Sequence, residues 1–159
     1  MSEPPLPTDP APSGSGTAPR RQQPGSVLFI CNHNIIRSPM AEALLKAKVG
    51  KRIYVASAGV HAGTPDPFVE TVMQERGIDV QNRTPKTLAE LEDTFFDLIV
   101  SLSPTAHHVA LEEALISAED IVYWPAGDPT VVQGSREQIL DAYREVRDRI
   151  GARIDSHFD

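Results

Sequence analysis

The stretch SVLFICNHNIIRSPMAEALLKAK, Ser26 to Lys48, decides the fold. It opens on VLFI (27–30), a short apolar run that reads as a buried strand. It continues into Ser38 to Val49, where Met40, Ala41, Leu44, Leu45 and Ala47 recur at helical spacing and Gly50 closes the run. Between strand and helix lies a polar loop that starts at Cys31, the one cysteine of the chain, and reaches Arg37 six positions later. A single thiol after a strand is often a small core hydrophobe, and it is the conjunction of strand, cysteine, polar loop, arginine, serine and helix that points to chemistry instead.

Outward from this unit the same alternation repeats. RIYVAS (52–57) is β-branched and strand-like, and Gly59 breaks it. Asp66 and Pro67 open a helix through Arg76, with Asp as N-cap, Pro at the first position and Gly77 at the end. Thr87 to Glu92 is a short helical piece, FDLIVSLS (96–103) a strand, Pro104 to Leu115 a helix and DIVYW (120–124) a fourth strand. Ser135 starts the last helix with capping-box spacing to Gln138, and Ile139, Ala142, Tyr143, Val146 and Ile150 line one face. Four strands separated by helices imply right-handed crossovers. The expected fold is therefore α/β, a three-layer sandwich with a four-stranded parallel sheet flanked by helices. Ligand sites in such sheets form at the carboxyl ends of the strands, where Cys31 lies.

The first 25 residues hold seven of the fourteen prolines and almost nothing apolar. They cannot bury enough surface to offset chain entropy, so 1–25 reads as a disordered tail and 26–159 as one domain. The PPLP element in the tail offers a segment for an aromatic groove on an unidentified partner, although a solubilising extension is the plainer reading. A net charge of -7 argues against a protein that grips nucleic acid or anionic membrane by bulk electrostatics. One cysteine rules out an intramolecular disulfide, and no apolar run approaches a membrane span. The expectation is a cytoplasmic protein with no nucleic-acid or membrane partner.

The loop Cys31–Ser38 suits a tetrahedral anion. Successive backbone amides that curl into a helix N-terminus cradle a phosphate-sized dianion. The same field favours the thiolate form of a cysteine at its base, which makes Cys31 a nucleophile. The amides of Asn32, His33, Asn34, Ile35, Ile36 and Arg37 are the phosphate-binding candidates, and the Arg37 guanidinium adds a fork for two oxygens. Asn34 suits a left-handed backbone position. Ser38 either caps the helix or hydrogen-bonds the thiolate. A phosphomonoester also needs a proton donor for its leaving oxygen. Of the two Asp-Pro pairs, Asp66 is accounted for as an N-cap, whereas Asp128 sits in a long connection after the fourth strand. From the residues alone, Asp128 reads equally as a structural turn or as the acid.

VLFICNHNIIRSPMAEALL resembles the phosphate-binding loop and following helix of the low-molecular-weight protein tyrosine phosphatases. The similarity continues through SAGVHAGTPDPFVETVMQERGID (57–79), FDLIVSLS (96–103) and the Asp128-Pro129 pair. The resemblance implies that Cys31 is the nucleophile, that Arg37 binds phosphate, that Asn34 and Ser38 support the loop and that Asp128 is the general acid. It implies a cysteine-dependent phosphomonoester hydrolase of the protein tyrosine phosphatase type, with a phosphorylated protein or small phosphomonoester as substrate and a phosphocysteine intermediate, and with no cofactor and no metal. The five histidines suggest no metal site; His107 and His108 are neighbours that point apart on a helix, which reads as a solvated face.

Three departures qualify the resemblance. His33 stands where the phosphatases usually have glycine, and His-Asn here looks more like certain arsenate reductases of the same fold. Ile36 takes a place that is often a second cysteine. Thr130, Val131 and Val132 follow Asp128-Pro129 where many members carry tyrosines that flank a phosphotyrosine ring, so a phosphotyrosine preference is in doubt. Tyr123 and Trp124 are nearby, with core packing the plainer role. Two other readings stand beside the phosphatase: an arsenate reductase resolved by an external thiol, and a non-catalytic anion-binding module. An internal thiol relay is excluded by the cysteine count.

Overall fold

The computed structural model describes residues 23–80, 83–112 and 116–159. Most of the predicted tail and the end of the third predicted helix, up to Leu115, lie outside these residues.

The elements alternate along the chain. Strand β1 (Ser26–Cys31) leads to helix α1 (Arg37–Val49), then strand β2 (Tyr54–Gly59) and helix α2 (Pro67–Gln74). A single 3-10 turn (Leu88–Glu90) precedes strand β3 (Phe95–Ser101) and helix α3 (Pro104–Glu112). Strand β4 (Ser117–Tyr123), a second 3-10 turn (Pro129–Val131) and helix α4 (Arg136–His157) complete the fold. The sheet runs β2-β1-β3-β4 with every pairing parallel, which is the four-stranded α/β sandwich expected from the alternation.

The layers follow from the pleat of β1, whose side chains alternate between two cores. Val27, Phe29 and Cys31 join the core built with α1, α2 and α4 through Met40, Leu45, Val72, Met73, Tyr143 and Ile150. Leu28 and Ile30 join the smaller core under α3 with Phe96, Ile99, Ala106 and Ala110. With both faces covered, a strand must be apolar throughout, which is why VLFI shows no alternation.

Several boundaries move from their sequence-based positions. β2 starts at Tyr54 and includes Gly59, because its parallel register with β1 runs Ser26↔Tyr54 to Cys31↔Gly59 and so sets both its ends. Gly59 is thus the last residue of the strand, not its breaker. β4 begins earlier, at Ser117, because β3 begins at Phe95 and the two pair from their first residues. α2 stops at Gln74, and Gly77 then takes φ 71° in the turn beyond it. His107 is a correction: it turns toward the sheet, where its Nδ1 lies 2.7 Å from the Ser101 hydroxyl and its ring stacks on Tyr123 at 4.8 Å. The capping predictions stand, with Asp66 accepting from Phe68 N at 2.9 Å and Ser135 from Gln138 N at 3.2 Å.

This topology places the site. The chain leaves β1 for β2 on one side and later crosses to β3 on the other. The crevice therefore opens beyond the carboxyl end of β1, at Cys31.

Candidate active site

Three other segments converge on the loop after β1. Val60 N and His61 N, just past β2, donate to the carbonyls of Cys31 and Asn32 at 3.1 and 2.8 Å. Past β3, the Ser103 hydroxyl donates to Asn32 Oδ1 at 2.6 Å and accepts from Ala106 N in the first turn of α3. Past β4, parallel pairing continues beyond the strand: Trp124 N donates to Ser101 O and Ala126 N to Leu102 O. That continued pairing carries Asp128 from a distant part of the chain to the cavity mouth. Trp124 is buried in the larger core, in line with packing as its role.

The cavity, about 190 Å³, is lined by Cys31, Asn32, His33, Ile35, Ile36, Arg37, Asp128 and Thr130. The structure thus gathers the nucleophile candidate, the arginine and the acid candidate around one space. Asn34 and Ser38 lie behind it, fully buried. Asn34 has φ 58°, the left-handed conformation expected for it, and this bend lets the loop curl into a cradle. The N-cap of α1, Ile36, gives no side-chain cap and the first turn holds no acidic residue; with Ser38 N turned to Cys31 Sγ and Pro39 lacking an amide hydrogen, the Arg37 amide is the one in that turn left for an anion. Gly59 makes the curl possible from below: a Cβ there would sit 2.7 Å from both Asn34 N and His33 C.

Ser38 resolves to the thiol rather than the cap. Its Oγ lies 2.9 Å from Cys31 Sγ, and its backbone N donates to the same sulfur at 3.4 Å. Arg37 Nη1 donates to the Ala126 carbonyl at 3.0 Å.

Asp128 has its two hydrogen bonds on one oxygen, Oδ1, which accepts from Thr130 N at 2.9 Å and Thr130 Oγ1 at 2.6 Å. Oδ2 takes none among the described residues. Burial pushes this carboxyl up, but the Thr130 bonds and the fields of Arg37 and His33 outweigh it and hold the group below the ordinary carboxylate range. Asp66, assigned from sequence to capping alone, does more: its Oδ2 accepts from Tyr143 Oη at 2.6 Å. Burial and that carboxylate drive the Tyr143 hydroxyl well above its usual value, with Asp128 adding to the push.

Sequence reasoning missed the layer beneath the loop: Glu42, Ser57 and Arg83. Ser57, near the carboxyl end of β2, carried a signal, because every strand end on that edge of the sheet is a candidate. Arg83 carried none, since it lies 49 positions from Asn34 in an irregular segment. Among the described residues no cluster of three or more histidine, cysteine or acidic side chains could hold a metal ion. No described helix is long and apolar enough to cross a membrane.

A thiol, an arginine and a carboxyl thus line one cavity beyond the carboxyl end of β1 on a four-stranded parallel sheet. The family description "low molecular weight phosphotyrosine protein phosphatase" matches residues 26–158, and the chain belongs to that family. It is 35% identical over 128 residues to an arsenate reductase of Halalkalibacterium halodurans, covering 80% of this chain and 91% of the relative. A solved arsenate reductase in its oxidised state superposes with TM-score 0.69 at 26% identity, covering 84% of this chain and 95% of that one. A low-molecular-weight tyrosine phosphatase from T. tengcongensis superposes with TM-score 0.65 at 25% identity, covering 82% and 95%.

Proposed function

We propose that this protein hydrolyses phosphomonoesters through a phosphocysteine intermediate. The observation that carries the reading is Asp128 lining the same cavity as the chain's only thiol, since thiolate and acid together suffice for this reaction. The Cys31 thiolate attacks phosphorus while Arg37 and the amides of residues 32–37 hold the non-bridging oxygens. Asp128 protonates the departing oxygen. In the second step the ionised Asp128 takes a proton from water, which displaces Cys31 and releases phosphate. Bound dianion opposes ionisation of Asp128, so substrate itself supplies the proton-holding state that Thr130 and Arg37 disfavour in the free enzyme. The rim presents Ile35, Thr130 and the His33 imidazole, and no tyrosine, phenylalanine or tryptophan among the lining residues, which favours a small leaving group over phosphotyrosine.

A second reading is favoured by the comparisons, which lean toward it: arsenate reduction resolved by an external thiol. Cys31 would displace hydroxide from arsenate to give a thiol–arsenic(V) adduct. An external thiolate would attack Cys31 Sγ, arsenite would leave with the bonding pair, and a second external thiol would release Cys31 from the mixed disulfide. Two thiols are oxidised to a disulfide and arsenic gains two electrons.

The test is hydrolysis of p-nitrophenyl phosphate in EDTA by the native chain, Cys31→Ser and Asp128→Ala. Turnover by the native protein that vanishes in Cys31→Ser and falls at least about a hundredfold in Asp128→Ala is the expected result. No hydrolysis, accompanied by arsenate-dependent oxidation of glutathione, would replace the first reading with the second.

A further inference from the structure

Arg83 lies outside the cavity, yet its guanidinium is the hub of the layer under the loop. Nη1 donates to the Asn34 carbonyl at 2.8 Å, and Nη2 to Asn34 Oδ1 at 2.9 Å and Ser57 Oγ at 3.1 Å. Glu42 Oε1 is 3.6 Å from Nη2. Burial pulls the Arg83 pKa down, and the negative charges of Glu42 and Cys31 pull against that fall.

A guanidinium only donates, and this fixes the direction of every bond that follows. Asn34 Oδ1 must accept, from Arg83 and from Lys86 N at 2.9 Å. The amide orientation is thereby settled, and Asn34 Nδ2 donates both its hydrogens, to Ser57 Oγ and Ser38 Oγ at 2.9 Å each. Ser57 Oγ, accepting from Asn34 and Arg83, sends its own proton to Glu42 Oε1 at 2.5 Å. Ser38 Oγ, accepting from Asn34, has its proton left for Cys31 Sγ at 2.9 Å, the Ala58 carbonyl at 3.5 Å being a poorer acceptor.

We infer that Arg83 is a positioning residue for the Cys31 thiolate: by holding Asn34 from below, it orients the buried network so that the Ser38 hydroxyl donates to the sulfur. Without the guanidinium, Asn34 loses a partner on its carbonyl and on its amide oxygen. Asn34 and Ser57 can then rotate, and Ser38 is free to accept from the thiol instead of donating to the thiolate. Arg83 thus acts on the reacting atom through two intervening side chains. The inference rests on Cys31 being the nucleophile of the proposed reaction, but its test needs no turnover.

Cys31 is the one thiol in the chain, so alkylation by iodoacetamide, followed by mass, reports on it alone. The native protein, Arg83→Met, Arg83→Lys, Ser38→Ala and the combinations with Ser38→Ala are compared across pH, with Arg37, His33 and Asp128 unchanged. In Arg83→Met the alkylation rate at pH 6 is expected to fall about tenfold and its pH profile to move upward by about one unit, with Arg83→Lys between Met and native. In the Ser38→Ala background either Arg83 substitution should change the rate by less than about twofold, because the route to sulfur is already cut. An unmoved profile in the Arg83 variants overturns the inference, and so does an undiminished effect in the Ser38→Ala background. If Arg83→Met does not fold, as judged by circular dichroism, the Arg83→Lys pair carries both outcomes. Normal alkylation behaviour with no turnover would sink the phosphatase reading and leave this one standing.

Discussion

Arg37 Nη1 donates to the carbonyl of Ala126 at 3.0 Å, two residues before Asp128. The guanidinium at the start of α1 therefore couples the loop after β1 to the segment that carries Asp128. In the proposed reaction one residue would serve as oxyanion fork and as anchor for the general acid.

Arg37→Lys keeps the charge but loses the planar fork and its reach to Ala126. Competitive inhibition by inorganic phosphate should weaken about 10- to 100-fold, and kcat/KM for p-nitrophenyl phosphate should fall about 100- to 1,000-fold. Wild-type inhibition constants would show that the fork is not used.

Thr130→Val removes the 2.6 Å bond that helps hold the Asp128 carboxyl down. The group then keeps its proton to higher pH. In a pH–rate profile the alkaline limb that reports loss of the acid moves upward relative to the native protein. The stability effect has the opposite flavour. A carboxyl depressed in the folded state stabilises above its unfolded value, and that gain disappears as pH falls through the folded one. Thr130→Val should therefore show a shallower loss of thermal stability on acidification.

Gly59→Ala tests the floor of the loop. Its Cβ would lie 2.6 Å from His61 O and 2.7 Å from Asn34 N, both backbone atoms that cannot swing aside. Displacement of the loop should cost about 1–3 kcal/mol in denaturant unfolding. Phosphate binding should be lost more completely than stability, because the cradle amides move with Asn34.

Glu75 ties α2 to α4. Arg144 holds its carboxyl from Nε and Nη2, Arg147 adds Nη1 at 2.8 Å, and these bonds bring it from an ordinary 4.5 to about 2 despite the opposing push of burial. The folded value lies below the unfolded one, so the stabilisation is complete above about pH 4.5 and fades as pH falls toward 2. The carboxylate is about a third exposed, which screens the interaction. Glu75→Gln should cost about 1 kcal/mol at pH 7 and less at pH 3, measured by urea unfolding at both.

The sheet and the cradle were legible because their signals are local. An unbroken apolar run at VLFI demands two covered faces, and strand, cysteine, polar loop and helix follow within a few residues. Asp128 was legible only in part. The length of its loop marked it, but its arrival at the cavity depends on pairing of Trp124 and Ala126 with Ser101 and Leu102, which no local pattern encodes. Arg83 was not legible at all. Its partners Asn34, Ser57 and Glu42 come from three other segments, and an arginine in an irregular stretch reads as a solvated charge until the fold closes over it. His107 failed for a related reason: helical neighbours do point apart, but the face given to the sheet is settled by Ser101 and Tyr123.

The start of α1, which takes no side-chain bond from its N-cap residue, would make the fold's own durability a function of what it binds. An oxyanion held by the loop and not by the unfolded chain would stabilise the whole molecule by mass action, about 2.7 kcal/mol at a hundredfold excess over its dissociation constant. Inorganic phosphate, the product of the proposed hydrolysis, would then act as inhibitor and folding ligand at once. Cellular conditions that slow this protein would be those that preserve it.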